Sequence, residues 1–132
     1  MVGTTNYLGN AGRSGRVGIA ELDRFEGPLT NRSQTSYQQI IDGSSHTLLI
    51  GEAIGEIVNG DFVRAFSWMG SGSISPRSSF GDPTWYNFSS SHPSGVGFCL
   101  ADGSVRFIPI EIDRDILYAL GGIRDGEPYS QP

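Results

Sequence analysis

Short apolar runs separated by Gly, Asn, Ser and Pro dominate this chain, a pattern typical of a small β-sheet rather than of long helices. Residues 47–53 (TLLIGEA) suit one buried strand. Residues 56–58 and 62–68 flank Asn59-Gly60, a dipeptide that favours tight hairpin turns, so they predict a strand pair. Residues 3–36 predict loop with room for one strand or helical turn, and residues 70–95 predict a long surface loop.

A second hairpin is predicted at residues 95–108, where one apolar run precedes Asp102-Gly103 and another follows it. Asp-Gly suits a two-residue type I′ turn, because both central positions of that turn need positive φ. A loop of this length fixes the register of the two strands. The predicted register places four apolar side chains on one face: Phe98, Leu100, Val105 and Phe107.

A short helix is predicted after this hairpin, with Asp113 as its N-cap and Gly121-Gly122 at its end. Its apolar face is expected to pack on the sheet and consists of Ile116, Leu117 and Leu120. The predicted fold class is therefore α+β, an antiparallel sheet of about four to six short strands with long loops and a short C-terminal helix. We expect a single domain over residues 1–132 with a flexible tail at 125–132.

The charge pattern narrows the range of partners. The formal net charge is −5, and the nine basic residues are all arginines, scattered along the chain. Proteins that bind nucleic acids concentrate basic residues on one surface, so we expect no nucleic-acid partner. Cys99 is the only cysteine, which excludes an intramolecular disulfide. No run of ~18 apolar residues and no signal-peptide pattern occurs, so we expect any exporting or anchoring segment to lie outside this sequence.

Four segments resemble a large bacterial family of prepilin-type proteins that carry a C-terminal H-x9-D-G "processing-associated" domain. They are residues 5–12 (TNYLGNAG), 26–29 (EGPL), 41–52 (IDGSSHTLLIGE) and 91–107 (SHPSGVGFCLADGSVRF). Nine residues separate His92 from Asp102-Gly103, as in the family pattern. His46 departs from that pattern, which usually has Asn at this position.

The resemblance implies the distal head of a pseudopilin-like protein, with an antiparallel sheet packed against the end of a long N-terminal helix that is absent from this sequence. It implies a structural or assembly role in a type II secretion-like or pilus-like system. Expected partners are other pilin-like subunits or secretion machinery. The expected location is extracytoplasmic, with membrane anchoring only through the missing helix. Without that helix, one face of the sheet should remain uncovered or form a homo-oligomer contact.

The matching segments supply candidate residues for a structural or interaction role: Asp42, Gly43, Gly51, Glu52, His92, Asp102 and Gly103. An extended strand between His92 and the turn separates His92 from Asp102 by on the order of 15 Å, which argues against a catalytic pair. Aromatic residues in the middle of the chain are candidates for ligand or partner contacts: Trp68, Trp85 and Tyr86. We therefore expect that the protein is not an enzyme.

Two other functions stay open at this point. One is a secreted carbohydrate- or surface-binding module that uses Trp85 and Tyr86, since exposed aromatic rings stack on sugars and dock partners. The other is a metal-dependent hydrolase built from His46, Glu52 and His92. The second reading is the weaker one, because no coherent catalytic motif accompanies these residues.

No cofactor or metal is expected, with calcium as the alternative. Calcium needs about six oxygen ligands, and Asp61 and Asp82 lie in predicted loops without the dense acidic run of an EF-hand. Glu52 ends an apolar strand, where a carboxylate needs a partner. That partner is expected to be a backbone group or an arginine, with Arg64 and Arg106 as candidates.

Overall fold

The structure is a computed structural model that describes residues 3–67, 72–76 and 80–126. Its strands are short: β1 (Thr4–Thr5), β2 (Tyr7–Asn10), β3 (Leu48–Glu52), β4 (Glu56–Val58), β5 (Asp61–Arg64), β6 (Phe66–Ser67), β7 (Ser73–Ile74), β8 (Gly95–Leu100) and β9 (Val105–Pro109). The helices are α1 (Ala20–Asp23) and α2 (Arg114–Gly121), and a 3-10 turn lies at Tyr37–Gln39.

Five strands form the main sheet in the order β7-β2-β3-β8-β9. Neighbouring strands are antiparallel, except that β2 and β7 are parallel. Two smaller sheets pair β1 with β6 and β4 with β5. The chain is thus α+β, mostly sheet and mainly antiparallel, as predicted. The prediction missed the importance of β2, which lies inside the sheet although its segment was expected to be mainly loop.

One face of the main sheet carries the hydrophobic core and is called the core face below. Leu48, Val96, Phe98 and Leu100 lie on it and are at most 1% exposed. Burying each side chain of this size stabilises the fold by about 1.5–3 kcal/mol. Helix α2 contacts β3 and adds its apolar side to this core, as the sequence predicted.

Asp113 caps α2, as predicted. Its carboxylate accepts the backbone N–H of Asp115 at 2.8 Å and that of Ile116 at 3.4 Å, which satisfies two donors that the first helical turn leaves unpaired. The helix ends at Gly121, with Gly122 as its C-cap. The local sequence therefore predicted both ends of this helix correctly.

The β4–β5 hairpin also has its predicted turn. Asn59 and Gly60 have φ values of 54° and 88°, the positive pair that a type I′ turn requires. Val58 and Asp61 are directly paired beside it. The register shifts further along, between Glu56 and Ile57, so the turn dipeptide fixes only the residues beside it.

The β8–β9 hairpin is confirmed, but its predicted turn and register are wrong. The N–H of Leu100 donates to the carbonyl of Ser104, and the N–H of Gly103 donates to the carbonyl of Leu100. The loop therefore has three residues and ends in a glycine with φ 86°, the geometry of a G1-type bulge. Cys99 pairs with Val105 and Phe98 with Arg106, one residue away from the prediction.

This one-residue difference in register reverses the two faces of β9, because a shift of one residue moves every side chain of a strand to the other face. Val105 and Phe107 lie on the face away from the core, and Ile108 lies in the core instead. Hydrogen bonds outside the hairpin favour this outcome. The N–H of Ala101 donates to Thr47 and that of Asp102 to Ser44, which holds the loop against the segment before β3.

Asn10 shows why β2 matters to the fold. It is fully buried at the end of β2, and its amide group donates to the carbonyl of Leu48 at 2.8 Å and to that of Gly121 at 2.9 Å. Its side-chain oxygen accepts the N–H of Gly12 at 2.9 Å. One side chain thereby joins β2, β3 and the end of α2, and all its buried polar atoms are satisfied.

Within the described ranges no helix combines the length and the hydropathy that crossing a bilayer would require. The prediction of one domain over residues 1–132 with a flexible tail from residue 125 stays a prediction. Residues 127–132 lie outside the described part of the chain, and the contacts of Asp125 and Gly126 are given below.

Candidate functional site

The face of the main sheet opposite the core is partly uncovered, as the sequence led us to expect. Five side chains define it, and it is called the open sheet face: Tyr7, Ile50, Cys99, Val105 and Phe107. Tyr7 is 59% exposed, Val105 78% and Phe107 49%, whereas Ile50 and Cys99 are half-buried. Exposed apolar side chains that lie next to each other on a protein surface are typical of interaction sites.

The strand pairing arranges this face in cross-strand rows. In one row Ile50 lies between Gly9 and Cys99, and Cys99 pairs in turn with Val105. Leu29 covers Gly9, where an added Cβ would lie 2.9 Å from the Leu29 Cδ1. A small apolar hollow of about 150 Å³ adjoins this end and is lined by Leu29, Leu49 and neighbouring residues.

His92 lies at the border of the open sheet face. Its ring packs edge-on against Phe107, with 5.7 Å between the ring centroids. Phe107 pairs with Gly97, three residues along β9 from Ser104, so roughly 10 Å of extended strand lies between it and the turn. The structure thus places the His92 ring with an apolar partner and places Asp102 within the turn. It does not bring the two side chains together.

Glu52 lies on the open sheet face in a second cross-strand row, where it pairs with Tyr7. Its Oε2 accepts the backbone N–H of Gly97 at 2.8 Å, and its carbonyl accepts the N–H of Ser89 at 3.0 Å. The partner of this carboxylate is therefore a backbone group, one of the two options that the sequence left open. Arg64, an alternative candidate, pairs with Glu56 at 3.3 Å instead.

Gly51 has a packing role on the core face. A Cβ at this position would lie 2.3 Å from Phe98 Cε1 and 2.7 Å from Phe88 Cδ1, closer than real side chains approach. The two phenyl rings pack edge-to-face, with 4.9 Å between centroids. Glycine is needed here because it lets both rings lie against the β3 backbone.

Asp102 stabilises the β8–β9 turn. Its Oδ1 accepts the Ser104 hydroxyl at 2.6 Å and the Ser104 N–H at 2.9 Å. These two hydrogen bonds, with that of the hydroxyl the larger, lower the pKa of the Asp102 carboxyl below its ordinary value of 3.8. The carboxylate is therefore used within its own turn, and Gly103 supplies the positive φ that follows it.

Asp42 and Gly43 form a junction with the segment that follows α2. The carboxylate of Asp42 accepts the N–H of Asp125 at 2.9 Å and the N–H of Gly126 at 3.3 Å. Gly43 has a φ of 99°, and its carbonyl accepts the hydroxyl of Thr47. The carbonyls of Ser44 and Thr47 in turn accept N–H groups from the loop of the β8–β9 hairpin. Both Asp-Gly motifs therefore contact the short segment of residues 44–47.

The predicted aromatic contact residues are only partly described. Trp85 and Tyr86 are 49% and 42% exposed and pack edge-to-face at 5.3 Å. The guanidinium of Arg64 lies 5.8 Å from the centre of the Trp85 ring. Trp68 lies outside the described residues.

The residues of the hydrolase alternative stand in separate environments. His46 is exposed, with its Nδ1 3.3 Å from the Ser45 hydroxyl, while Glu52 and His92 have the partners given above. Among residues 3–67, 72–76 and 80–126, no group of three His, Cys, Asp or Glu side chains is arranged to hold a metal ion. Asp61 and Asp82, the calcium candidates, are therefore not part of such a group.

Sequence reasoning missed Asn10 and the open position of Phe107. Asn10 lies within the segment TNYLGNAG, which the resemblance had marked without giving a reason for its Asn. The two carbonyls that accept the Asn10 amide group, those of Leu48 and Gly121, are distant in sequence, so no local pattern could reveal its role. The exposure of Phe107 depends on the register of β9, which the two-residue turn predicted wrongly.

Residues 64–115 match a protein family described as "Protein of unknown function (DUF1559)", which is associated with prepilin-like proteins. The match spans less than half of the chain and runs from the end of β5 through the β8–β9 hairpin to the start of α2. Neither a search of curated proteins nor one of solved structures finds a match. The chain is thus similar to this family over the part that includes His92 and the Asp102 turn.

Proposed function

We propose that this protein is a structural subunit, the extracytoplasmic head of a pseudopilin-like protein in a type II secretion-like or pilus-like system. The open sheet face is the observation that carries the proposal. An antiparallel sheet with one solvated face normally places polar residues on that face. Here Tyr7, Val105 and Phe107 expose apolar surface instead. A second protein surface that covers them would remove this area from water, at about 25 cal/mol per Å².

The occupant in this proposal is an apolar helix of the same protein, of the kind that the family resemblance implies before the head. A helix lies readily across a twisted sheet and would bury the rings of Tyr7 and Phe107 together. The same helix would anchor the protein in the membrane. Other pilin-like subunits or secretion machinery would then bind the assembled head, and two copies meeting at the same face would give a homo-oligomer.

The proposed role needs no catalysis and no cofactor. Asp42, Asp102 and Glu52 accept backbone N–H groups, and His92 packs on Phe107. Each of these contacts stabilises a turn, a junction or the edge of the open face. The similarity to a family associated with prepilin-like proteins supports the same reading.

The test places a charge on the open sheet face. Val105→Lys in the full-length protein should abolish its assembly into filaments or its co-purification with the secretion machinery, because lysine cannot be buried unpaired at a contact. Val17→Lys is the matched control, since Val17 is also an exposed valine (50%) and belongs to none of the strands of the main sheet. The free energy of unfolding of the isolated head should change by less than about 0.5 kcal/mol in both variants.

Normal assembly of the Val105→Lys protein, together with normal assembly of Phe107→Lys, would contradict the proposal. Equal loss in the Val17→Lys control would show a general effect of surface charge, and would contradict it as well.

A carbohydrate-binding module is the second candidate, favoured by the exposure of Trp85 and Tyr86. The two rings are nearly perpendicular, at 87°, so only one of them at a time can stack face-on with a sugar ring. Binding to a glycan array that is lost on Trp85→Ala and kept on Val105→Lys would favour this candidate over the assembly role.

A further inference from the structure

A polar cavity of about 340 Å³ lies beside the strand-like contact between Gly12 and Glu26. It is called the arginine cavity, because Arg16, Arg32 and Arg124 line it together with Glu26. Its other lining residues are polar except for Ile123. None of the side chains of the open sheet face lines it, so it is a separate feature of the molecule. Its volume lies in the range of about 300–1,000 Å³ that is usual for small-molecule sites.

Glu26 is the buried anchor of this cavity. Its side chain is only 11% exposed, and its Oε1 accepts the Arg124 Nη2–H at 3.2 Å. Backbone hydrogen bonds hold it in place, since its carbonyl accepts the N–H of Ile123 and its neighbour Gly27 donates to Ala11. The fold thus fixes the backbone of Glu26, and Arg124 holds its carboxylate.

The second oxygen of Glu26 is left without a hydrogen bond. Its Oε2 is buried and has no hydrogen-bonding partner among the described residues. The nearest cation, the Arg16 Nε, lies 3.7 Å away, too far for a hydrogen bond. A buried carboxylate oxygen without a partner is costly, so it favours a ligand that brings a donor such as a hydroxyl group.

The positive charge of the arginines in this cavity exceeds the negative charge of Glu26. Three arginines and one carboxylate line the cavity, which gives it an excess of positive charge in a protein whose formal net charge is −5. The Arg16 side chain is 70% exposed, and among the described residues its one ionic contact is the long one with Glu26. Guanidinium groups bind carboxylates through two parallel hydrogen bonds, so this excess favours an anionic ligand.

We propose that the arginine cavity binds a hydroxylated carboxylate, a sugar acid, whose carboxylate pairs with Arg32 and Arg16 and whose hydroxyl donates to Glu26. A small inorganic anion such as sulfate fits less well, because it brings negative charge close to Glu26 and has no hydrogen-bond donor for the unpaired carboxylate oxygen. An apolar ligand does not fit a cavity with polar walls. The sugar acid is free in solution or part of an acidic polysaccharide, and the chemistry of recognition is the same in both cases.

Arg32 offers a sharp variant, because its backbone has a φ of 58°. Asn tolerates this left-handed conformation better than arginine does, so Arg32→Asn should remove the charge and leave the fold intact. Arg114→Asn is the matched control. It removes the same charge from an exposed position at the start of α2, outside the lining of the cavity.

The experiment titrates the ¹⁵N-labelled protein with glucuronate, glucose and sulfate, and follows amide shifts around residues 26–34 and 123–124. Glucuronate should give saturable shifts, and glucose should give none. Arg32→Asn should weaken glucuronate binding by at least about tenfold, as expected for the loss of one charge-assisted pair, while Arg114→Asn should leave it within about twofold. Thermal unfolding of both variants checks that each is folded.

Glu26→Gln supplies the second readout, since it removes the negative charge and keeps a hydrogen-bonding side chain. It should lower the preference for glucuronate over sulfate, because sulfate no longer meets a carboxylate. An oligomer of glucuronate that binds more tightly than the monomer would assign the site to a polysaccharide, and equal affinity would assign it to the free acid; both support the proposal.

Three results would overturn it. The first is the absence of saturable shifts with glucuronate and with its oligomer. The second is sulfate binding as tight as that of glucuronate, which would show an adventitious ion only. The third is an equal effect of Arg32→Asn and Arg114→Asn, since the effect would then come from net charge and not from the cavity.

Discussion

The two faces of the main sheet consist of neighbouring residues on the same strands, yet one face is buried and the other is partly exposed to solvent. On β9, Ile108 is 6% exposed and Phe107 beside it is 49% exposed. On β8, Phe98 is buried at 1%, and Cys99 beside it is only half-buried. Both faces carry apolar side chains, so hydrophobicity does not distinguish them.

What distinguishes the faces is the rest of the fold. Helix α2 covers the core face and brings Leu117 and Leu120 against it, whereas Leu29 covers only one end of the open sheet face, at Gly9. Apolar residues on both faces of a sheet are typical of sheets that are covered on both sides. The main sheet thus has the composition of a sheet that is covered on both sides, and the described residues supply one full cover.

Truncation of a phenylalanine on each face gives the sharpest contrast. Phe98→Ala should lower the free energy of unfolding by about 3–5 kcal/mol, because it leaves a cavity among Phe80, Phe88 and Leu48. Phe107→Ala should lower it by no more than about 1 kcal/mol, because half of that ring is already exposed. Urea unfolding of the two variants measures both values. Equal losses would mean that the open sheet face is as tightly packed as the core face.

Two glycines test the same contrast by addition of a methyl group. Gly51→Ala should cost about 1–3 kcal/mol, since its Cβ would lie 2.3 Å from a ring atom of Phe98 that cannot move freely. Gly97→Ala should cost less than about 1 kcal/mol, because its nearest neighbour is the Glu52 Oε2 at 3.0 Å, at the end of a flexible side chain. Thermal unfolding measures the stability of both variants. A larger loss of stability for Gly97→Ala than for Gly51→Ala would contradict the view that the core face is the more tightly packed one.

The smallest expected effect concerns the turn that sets the register of β9. The folded-state pKa of Asp102 is lowered by its hydrogen bonds to Ser104, so the stabilisation it gives is present above the ordinary pKa of 3.8 and is lost as pH falls through the lower, folded-state value. The stability difference between the wild type and Asp102→Asn should therefore be constant above about pH 5 and narrow in acid. Urea midpoints between neutral and acidic pH measure it. A difference that widens in acid would contradict the hydrogen-bonding role of the carboxylate.

Much of the fold follows from local signals. The turn at Asn59-Gly60, the strand β3 and the cap of α2 at Asp113 are all as predicted, because each depends on the conformational preferences of a few adjacent residues. The sequence pattern also predicted the existence of the β8–β9 hairpin. These features need no information from distant parts of the chain.

The candidate sites were less predictable. The motif residues Glu52 and His92 were identified, but their contacts with Gly97 and Phe107 depend on how three strands align. The arginine cavity was not predicted at all, since Arg16, Arg32 and Arg124 are scattered in sequence and come to line one cavity only through folding. Scattered arginines exclude a basic run in the sequence, but they do not exclude a local cluster made by folding.

The sequence by itself determined where the chain turns, where α2 begins and ends, and which segments are apolar enough to form strands, since these are short-range properties. Only the tertiary structure decided the register of β9, the place of β2 inside the sheet and the side on which Phe107 lies. The physical reason is that a Gly-containing turn permits both a two-residue and a three-residue loop. Hydrogen bonds from Ala101 and Asp102 to Thr47 and Ser44, together with burial of Ile108, accompany the three-residue loop.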